Sequence, residues 1–286
     1  MGKEKLFVLI GEKLNHSISP MIFNYYFKKL NLNYRYELFP VASDCLPEVL
    51  KKIRASSIIG FNVTIPYKEK IIPFLDDLDK EAEKIGSVNV VHNIKGKLKG
   101  YNTDYSGFMR ALLQHSPLEI ETAVVLGAGG ASRSIIYSLY KLKVKKIVFF
   151  SRSSGKLDRV LNNFFFISNL KGYSWQIEKI KEKIQKADLI VNATPVGMFP
   201  FGDASPIEID FSVRENCIAF DLIYNPIKTK FLREASSKGI VVENGLRMLV
   251  YQALESYKIW ISQDINEESF IKTSEEVLYA SLLKCG

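Results

Sequence analysis

A glycine-rich turn, Gly127-Ala128-Gly129-Gly130-Ala131, constrains this chain more than any other feature. It follows an apolar run, Ala123-Val124-Val125-Leu126, and opens a segment of helical pattern. Glycines between a strand and a helix let the backbone turn tightly and let an anion approach the main-chain N–H groups at the helix start. A second strand-like run over 146–150 follows, so strand, loop, helix and strand come in the order of a dinucleotide-binding unit. The third position of that fingerprint is Ser132, which is small enough to keep helix and strand close.

The tip of the second strand reads Ser151-Arg152-Ser153-Ser154, with Lys156 nearby. A site for NAD usually carries an acid here for the ribose hydroxyls. None is present. A guanidinium flanked by hydroxyls suits a phosphate instead, so the expected cofactor is NADP.

Around this unit, strands and helices alternate. Strands are expected over 5–11, 34–39, 57–64 and 88–93, with a turn at Gly96-Lys97. The helices between them span 20–30, 44–54 and 67–75, and one over 104–114 follows. Beyond the glycine turn, strands are expected over 188–193, 217–221 and 240–243. Helices are expected over 131–143, 157–165, 177–186, 229–238, 246–261 and 274–284. The fold class is therefore α/β with mainly parallel sheets, and Ser116 to Glu121 marks a domain boundary.

Composition narrows the function. Apolar residues make up 47% and charged residues 24%, the balance of a globular chain, and 286 residues suffice for two domains. No apolar run approaches a membrane span, and the expected location is cytoplasmic. Cys45, Cys217 and Cys285 form no pair of disulfide or zinc spacing, and the three histidines show no metal spacing. The net charge of +8 is scattered among acids. It fits an anionic small molecule, with no nucleic acid and no membrane as partner; the protein is expected as a monomer or homodimer, and the sequence does not choose between them.

Four polar segments carry the remaining chemistry: NHSISP at 15–20, NVTIPYK at 62–68, SVN at 87–89 and NTD at 102–104. Hydroxyls and amides bind a carboxylate and ring hydroxyls, and a lysine beside an aspartate can move a proton. With these segments, GAGGAS at 127–132, SRS at 151–153, NATPVGM at 192–198, DLIYNP at 221–226 and NGLRMLVYQA at 244–253, the chain resembles the shikimate/quinate dehydrogenase family over its whole length.

The resemblance implies NADPH-dependent, reversible reduction of 3-dehydroshikimate to shikimate on the way to aromatic amino acids. It implies a substrate-binding catalytic domain over 1–104, completed by C-terminal helices within 246–286. A Rossmann-like NADP-binding domain over 105–245 is inserted between. Ser17 and Ser19 would hold the substrate carboxylate. Asn62, Thr64, Asn89, Asp104 and Gln252 would hold the ring, and Lys68 with Asp104 would be the catalytic pair. Tyr224 belongs at the substrate or cofactor edge, and His16 is structural. Gly127, Ala128, Gly129, Gly130, Ala131, Ser151, Arg152, Ser153, Thr194 and Gly245 would meet the cofactor. Met248 either joins them or packs in the core. Lys13, Val90, Tyr105 and Ser151 depart from the family's usual Pro, Thr, Gly and Asn. Three other readings stand beside this one: an NAD-preferring quinate dehydrogenase, a tetrahydrofolate-linked dehydrogenase, and a metabolite sensor without activity.

Overall fold

Short apolar runs bounded by Gly, Pro and Asn become strands, and amphipathic stretches between them become helices. The structure, a computed structural model, describes residues 4–14, 17–115, 119–200, 202–261 and 263–282. Asn15, His16, Ser116, Pro117, Lys284 and Cys285 lie outside the described residues. The chain divides into two compact units, Met1–Asp104 with Val250–Ser281 and Tyr105–Leu249 with Leu282–Gly286.

The first unit opens with β1 (Lys5–Gly11), α1 (Ser19–Lys29), β2 (Tyr34–Pro40), α2 (Leu46–Arg54) and β3 (Ile58–Val63). It continues with β4 (Asp77–Leu78), α3 (Lys80–Ile85), β5 (Val90–Ile94) and β6 (Lys97–Tyr101). These strands form one sheet in the order β2-β1-β3-β5-β6-β4. β1 runs parallel to β2 and β3, whereas β5 runs antiparallel to β3 and β6. The sheet is thus mixed: its pairs β1–β2, β1–β3 and β4–β6 are parallel, as expected, and the two that β5 makes are antiparallel, which the sequence did not show. Lys95 and Gly96, with φ of 53° and 88°, form the two-residue link between paired Ile94 and Lys97. Two successive positive φ angles match the twist of a tight hairpin, so the chain folds straight back on itself.

That reversal decides where the polar segments go. β6 runs in the same direction as β3, so the carboxyl ends of β1, β3 and β6 share one sheet edge with the amino end of β5. The described residues of the four polar segments, 17–20, 62–68, 87–89 and 102–104, lie at that edge.

A second correction concerns 67–75, which is no α-helix. It is a run of turns ending in a 3-10 turn, Ile72–Phe74. Pro73 has no N–H and its ring crowds the carbonyl four residues back, so helical bonding stops after a turn. β4, α3 and β6 were not anticipated from the sequence.

The second unit contains α4 (Asp104–Leu112), whose first residue belongs to the first unit, then β7 (Thr122–Leu126), α5 (Gly130–Lys141) and β8 (Lys146–Ser151). After these come α6 (Ser154–Asn163), β9 (Leu170–Ser174), α7 (Ile177–Ile184), β10 (Leu189–Asn192), β11 (Ile218–Asp221), α8 (Lys230–Ser237) and β12 (Val241–Glu243). β9 was missed because Gly172 and the flanking polar residues break its pattern. The sheet order is β12-β11-β10-β7-β8-β9, with every pair parallel. Its central runs, AVVL, IVFF and LIVN, are buried on both faces, as parallel strands covered by helices must be. The strand order reverses between β7 and β10. At such a switch point the loops leaving the two strands diverge and leave a crevice for a ligand.

α9 (Leu246–Trp260) starts in the second unit and enters the first at Val250; α10 (Glu267–Leu282) follows. In the first unit the Trp260 indole donates to the Val91 carbonyl at 3.0 Å and packs on Phe7 and Phe23. This contact seats α9 on the sheet. No helix among the described residues is long and apolar enough to cross a membrane.

Candidate active site

In the first unit the sheet edge gathers an almost closed polar network. Lys68 Nζ donates to Asp104 Oδ2 at 2.6 Å, and both side chains are largely shielded, 17% and 6% exposed. The other Asp104 oxygen accepts from Asn89 Nδ2 at 3.0 Å. Both carboxylate oxygens are therefore bonded, which fixes the plane of the group and the direction in which Lys68 is held. The Lys68 carbonyl accepts from the Val88 N–H at 2.8 Å, which ties the turn after β3 to the segment before β5.

Asn89 is the hub. Its amide nitrogen also approaches Thr103 Oγ1 at 3.0 Å and Gln252 Oε1 at 3.2 Å, and its Oδ1 accepts from the Thr103 N–H at 2.7 Å. Asn62 braces the network from within. It donates to the Asn89 carbonyl and to Ser256 Oγ, and its Oδ1 accepts from the Tyr36 hydroxyl at 2.7 Å. Ser256 in turn donates to the Gln252 carbonyl at 2.8 Å. Sequence reading missed Tyr36 and Ser256. The position of Ser256 one helical turn after Gln252 was a usable signal, because residues four apart share a helix face. Nothing in the sequence around Tyr36 marked it.

Thr64 is half-buried at the end of β3, and its N–H donates to the Ile10 carbonyl at 2.9 Å. Ser17 Oγ donates to Ser19 Oγ at 3.3 Å and accepts from the Ser19 N–H at 3.4 Å, at the start of α1. Two hydroxyls at a helix start, where the dipole is positive, make a place for a carboxylate.

In the second unit the glycine turn leaves β7 on the switch-point side. Gly127 has φ of +123°, and a Cβ there would come within 2.9 Å of the Ala193 carbonyl oxygen. Only glycine fits both the conformation and the neighbour. The Gly129 N–H donates to Ser132 Oγ at 3.3 Å, and a Cβ on Gly129 would meet nothing within 4 Å. Open space over the amide-bearing start of α5, flanked by Ala128 and Ala131, is what a dinucleotide pyrophosphate requires. These residues fit NADP.

At the ribose end Ser151 is buried. Its hydroxyl donates to the Ser153 carbonyl at 2.8 Å and accepts from the Ser153 N–H at 3.1 Å, so it shapes the tip from inside. Ser153 caps α6 by accepting from the Lys156 N–H. Arg152 is exposed. Thr194, after β10, donates to Asn192 Oδ1 at 2.7 Å and accepts from the Val196 N–H, which curls that loop back on itself. Gly245 joins β12 to α9, and a Cβ there would collide with the Leu222 carbonyl oxygen. Met248 is buried, 7% exposed, and Tyr224 is half-buried after β11.

Asp221, at the end of β11, was not singled out by sequence reading, although DLIYNP contains it. It is fully buried and accepts from Asn192 Nδ2, the Ile223 N–H and Thr229 Oγ1, the last at 2.6 Å. Burial pushes its carboxyl up to about 6, against the pull of those three donors.

An all-parallel sheet with a glycine cradle at its switch point, in one chain with a second unit holding a shielded lysine–aspartate pair, is the make-up of a nicotinamide-dependent oxidoreductase. Residues 9–91 match the family described as the shikimate dehydrogenase substrate binding domain. The NADP-dependent shikimate dehydrogenase of Caldanaerobacter subterraneus is 40% identical over 265 residues, which are 92% of this chain and 94% of that protein. The chain belongs to the shikimate dehydrogenase family. Among solved structures, shikimate 5-dehydrogenase from Thermus thermophilus, in complex with NADP(H) and shikimate, superposes with a TM-score of 0.82 at 32% identity. The match covers 96% of this chain and 99% of that one. Quinate dehydrogenase from Corynebacterium glutamicum, in complex with NAD, superposes at 0.85 with 25% identity, over 97% and 99%.

Proposed function

We propose that this protein reduces 3-dehydroshikimate reversibly to shikimate with NADPH. The observation that carries the proposal is the Lys68–Asp104 pair, held by Asn89 at the sheet edge where the four polar segments converge. NADPH, when bound, supplies the hydride. As the ketone oxygen gathers negative charge, the Lys68 ammonium stabilises it and donates a proton to it. Asp104 keeps Lys68 in place and accepts from a neighbouring ring hydroxyl. Asn89, Thr64 and Gln252 bind the other ring substituents, and the Ser17 and Ser19 hydroxyls bind the carboxylate. Asn62 acts mainly as a brace, because its amide is already engaged with Asn89, Ser256 and Tyr36.

Residues 1–104 with the C-terminal helices act as the substrate domain, and the central unit as the NADP domain. The backbone of Gly127 to Ala131 and the start of α5 would hold the pyrophosphate. Arg152 and Ser153 would hold the 2′-phosphate, and Thr194, Gly245 and Met248 the nicotinamide end.

The alternative is an NAD-linked quinate dehydrogenase, as in the Corynebacterium relative. The tip after β8 favours the first reading, because residues 151–156 contain Arg152 and Lys156 and no acid. Steady-state oxidation of shikimate and quinate with each nicotinamide cofactor tests both. NADP with shikimate should give the highest kcat/KM. Absence of shikimate-dependent NADPH formation would refute the proposal.

A further inference from the structure

β8 ends at Ser151, and the next residue carries the charge assigned above to the cofactor's ribose end. The backbone at Arg152 is held from both sides. Ser151 and Ser153 exchange two hydrogen bonds, and Ser153 caps α6. That leaves the long arginine side chain, which loses much rotamer freedom when it binds an anion.

The guanidinium does not stand alone. It lies over the ring of Trp175, 5.9 Å from the centroid. Trp175 follows β9, the edge neighbour of β8, and its N–H donates to the Ser151 carbonyl at 2.9 Å. One residue thus closes the ladder behind the tip and also presents an aromatic face to the tip's cation. The indole is itself half-buried against the core under the sheet, alongside Tyr173. Among the described residues Arg152 has no carboxylate partner. A guanidinium resting on a ring keeps the N–H donors at its edge available for a second, anionic partner.

We propose that Trp175 is a positioning residue for the cofactor. It holds the Arg152 guanidinium ready for a phosphate monoester on the ribose 2′ oxygen, and so contributes to the choice of NADP over NAD. This inference rests on the NADP reading of the tip, and the test separates the two.

Calorimetric titration of the full chain with 2′,5′-ADP and with 5′-ADP reads the 2′-phosphate contact without turnover. Trp175→Leu keeps apolar bulk but removes the aromatic face. It should weaken 2′,5′-ADP about fivefold and leave 5′-ADP within about twofold, a loss in the range of an exposed cation–aromatic contact. Trp175→Phe should stay near wild type. Arg152→Lys leaves the core untouched and should lose affinity for 2′,5′-ADP at least as strongly as Trp175→Leu. Wild-type affinity in Trp175→Leu, equal losses in the Leu and Phe variants, or an equal loss for both nucleotides would overturn the role of Trp175. If Arg152→Ala binds 2′,5′-ADP as tightly as wild type, the NADP reading of the tip falls, and this inference with it.

Discussion

Lys68 gains its chemical meaning from three neighbours that sequence distance hides. Asp104 lies 36 residues away and Asn89 lies 21 away, and Gln252 reaches Asn89 from far along the chain. Lys68→Ala should lower kcat about 10²- to 10⁴-fold, the usual worth of a positioned proton donor, and change KM for shikimate only a few-fold. Steady-state kinetics with NADP would check it; wild-type kcat would remove Lys68 from the chemistry. The lysine and the aspartate were both legible in their motifs. Tyr36 and Ser256 were not. Each is a common residue in an ordinary strand or helix, and its role arises only from what lies opposite once the sheet has formed.

Among the elements, Asp221 ties three together: β10 through Asn192, β11 on which it sits, and α8 through its cap, Thr229. Its carboxyl titrates near 6 in the folded protein, against an ordinary 3.8. Between these values the native state keeps a proton that the unfolded chain has released. This group's contribution is therefore full below about pH 4, falls as pH rises, and is gone above about pH 6. The difference amounts to about 3 kcal/mol. Asp221→Asn fits the same partners, with its oxygen accepting from Asn192 and Ile223 and its nitrogen donating to Thr229. Thermal melts at pH 4 to 7 should show the variant losing less stability across that range than wild type. Parallel curves would show that Asp221 does not titrate there. The element pattern itself was mostly legible. The stretch over 67–75 was read as a helix because its apolar spacing allowed one, and Pro73 prevented it. β4 and β6 were passed over because they lie in Lys-, Asp- and Gly-rich sequence, where pairing with a neighbouring strand rather than intrinsic preference makes a strand.

For the molecule as a whole, the charge of +8 bears on encounter with two anionic ligands. Raising ionic strength from about 10 mM to about 150 mM shortens the screening length from about 30 Å to about 8 Å. kcat/KM for shikimate at saturating NADP should fall several-fold over that range, while kcat changes less. A salt-independent kcat/KM would mean that the surface charge plays no part in steering. The sequence by itself determined most of the elements, the glycine cradle and the chemistry-bearing residue types, because each depends on local sterics and hydrogen-bonding capacity. The turn at 127, with φ of +123° and the Ala193 carbonyl close by, demands glycine, a buried parallel strand demands an apolar run, and a phosphate favours arginine. Only the tertiary structure decided that β5 pairs antiparallel to β3 and that the hairpin at Lys95-Gly96 then sends β6 back beside it. These two reversals bring the amino end of β5 and the carboxyl end of β6 to the same edge as the carboxyl ends of β1 and β3. The pairing of strands sets that edge, and a pairing between distant segments is fixed by the packing of the whole sheet, not by any one segment.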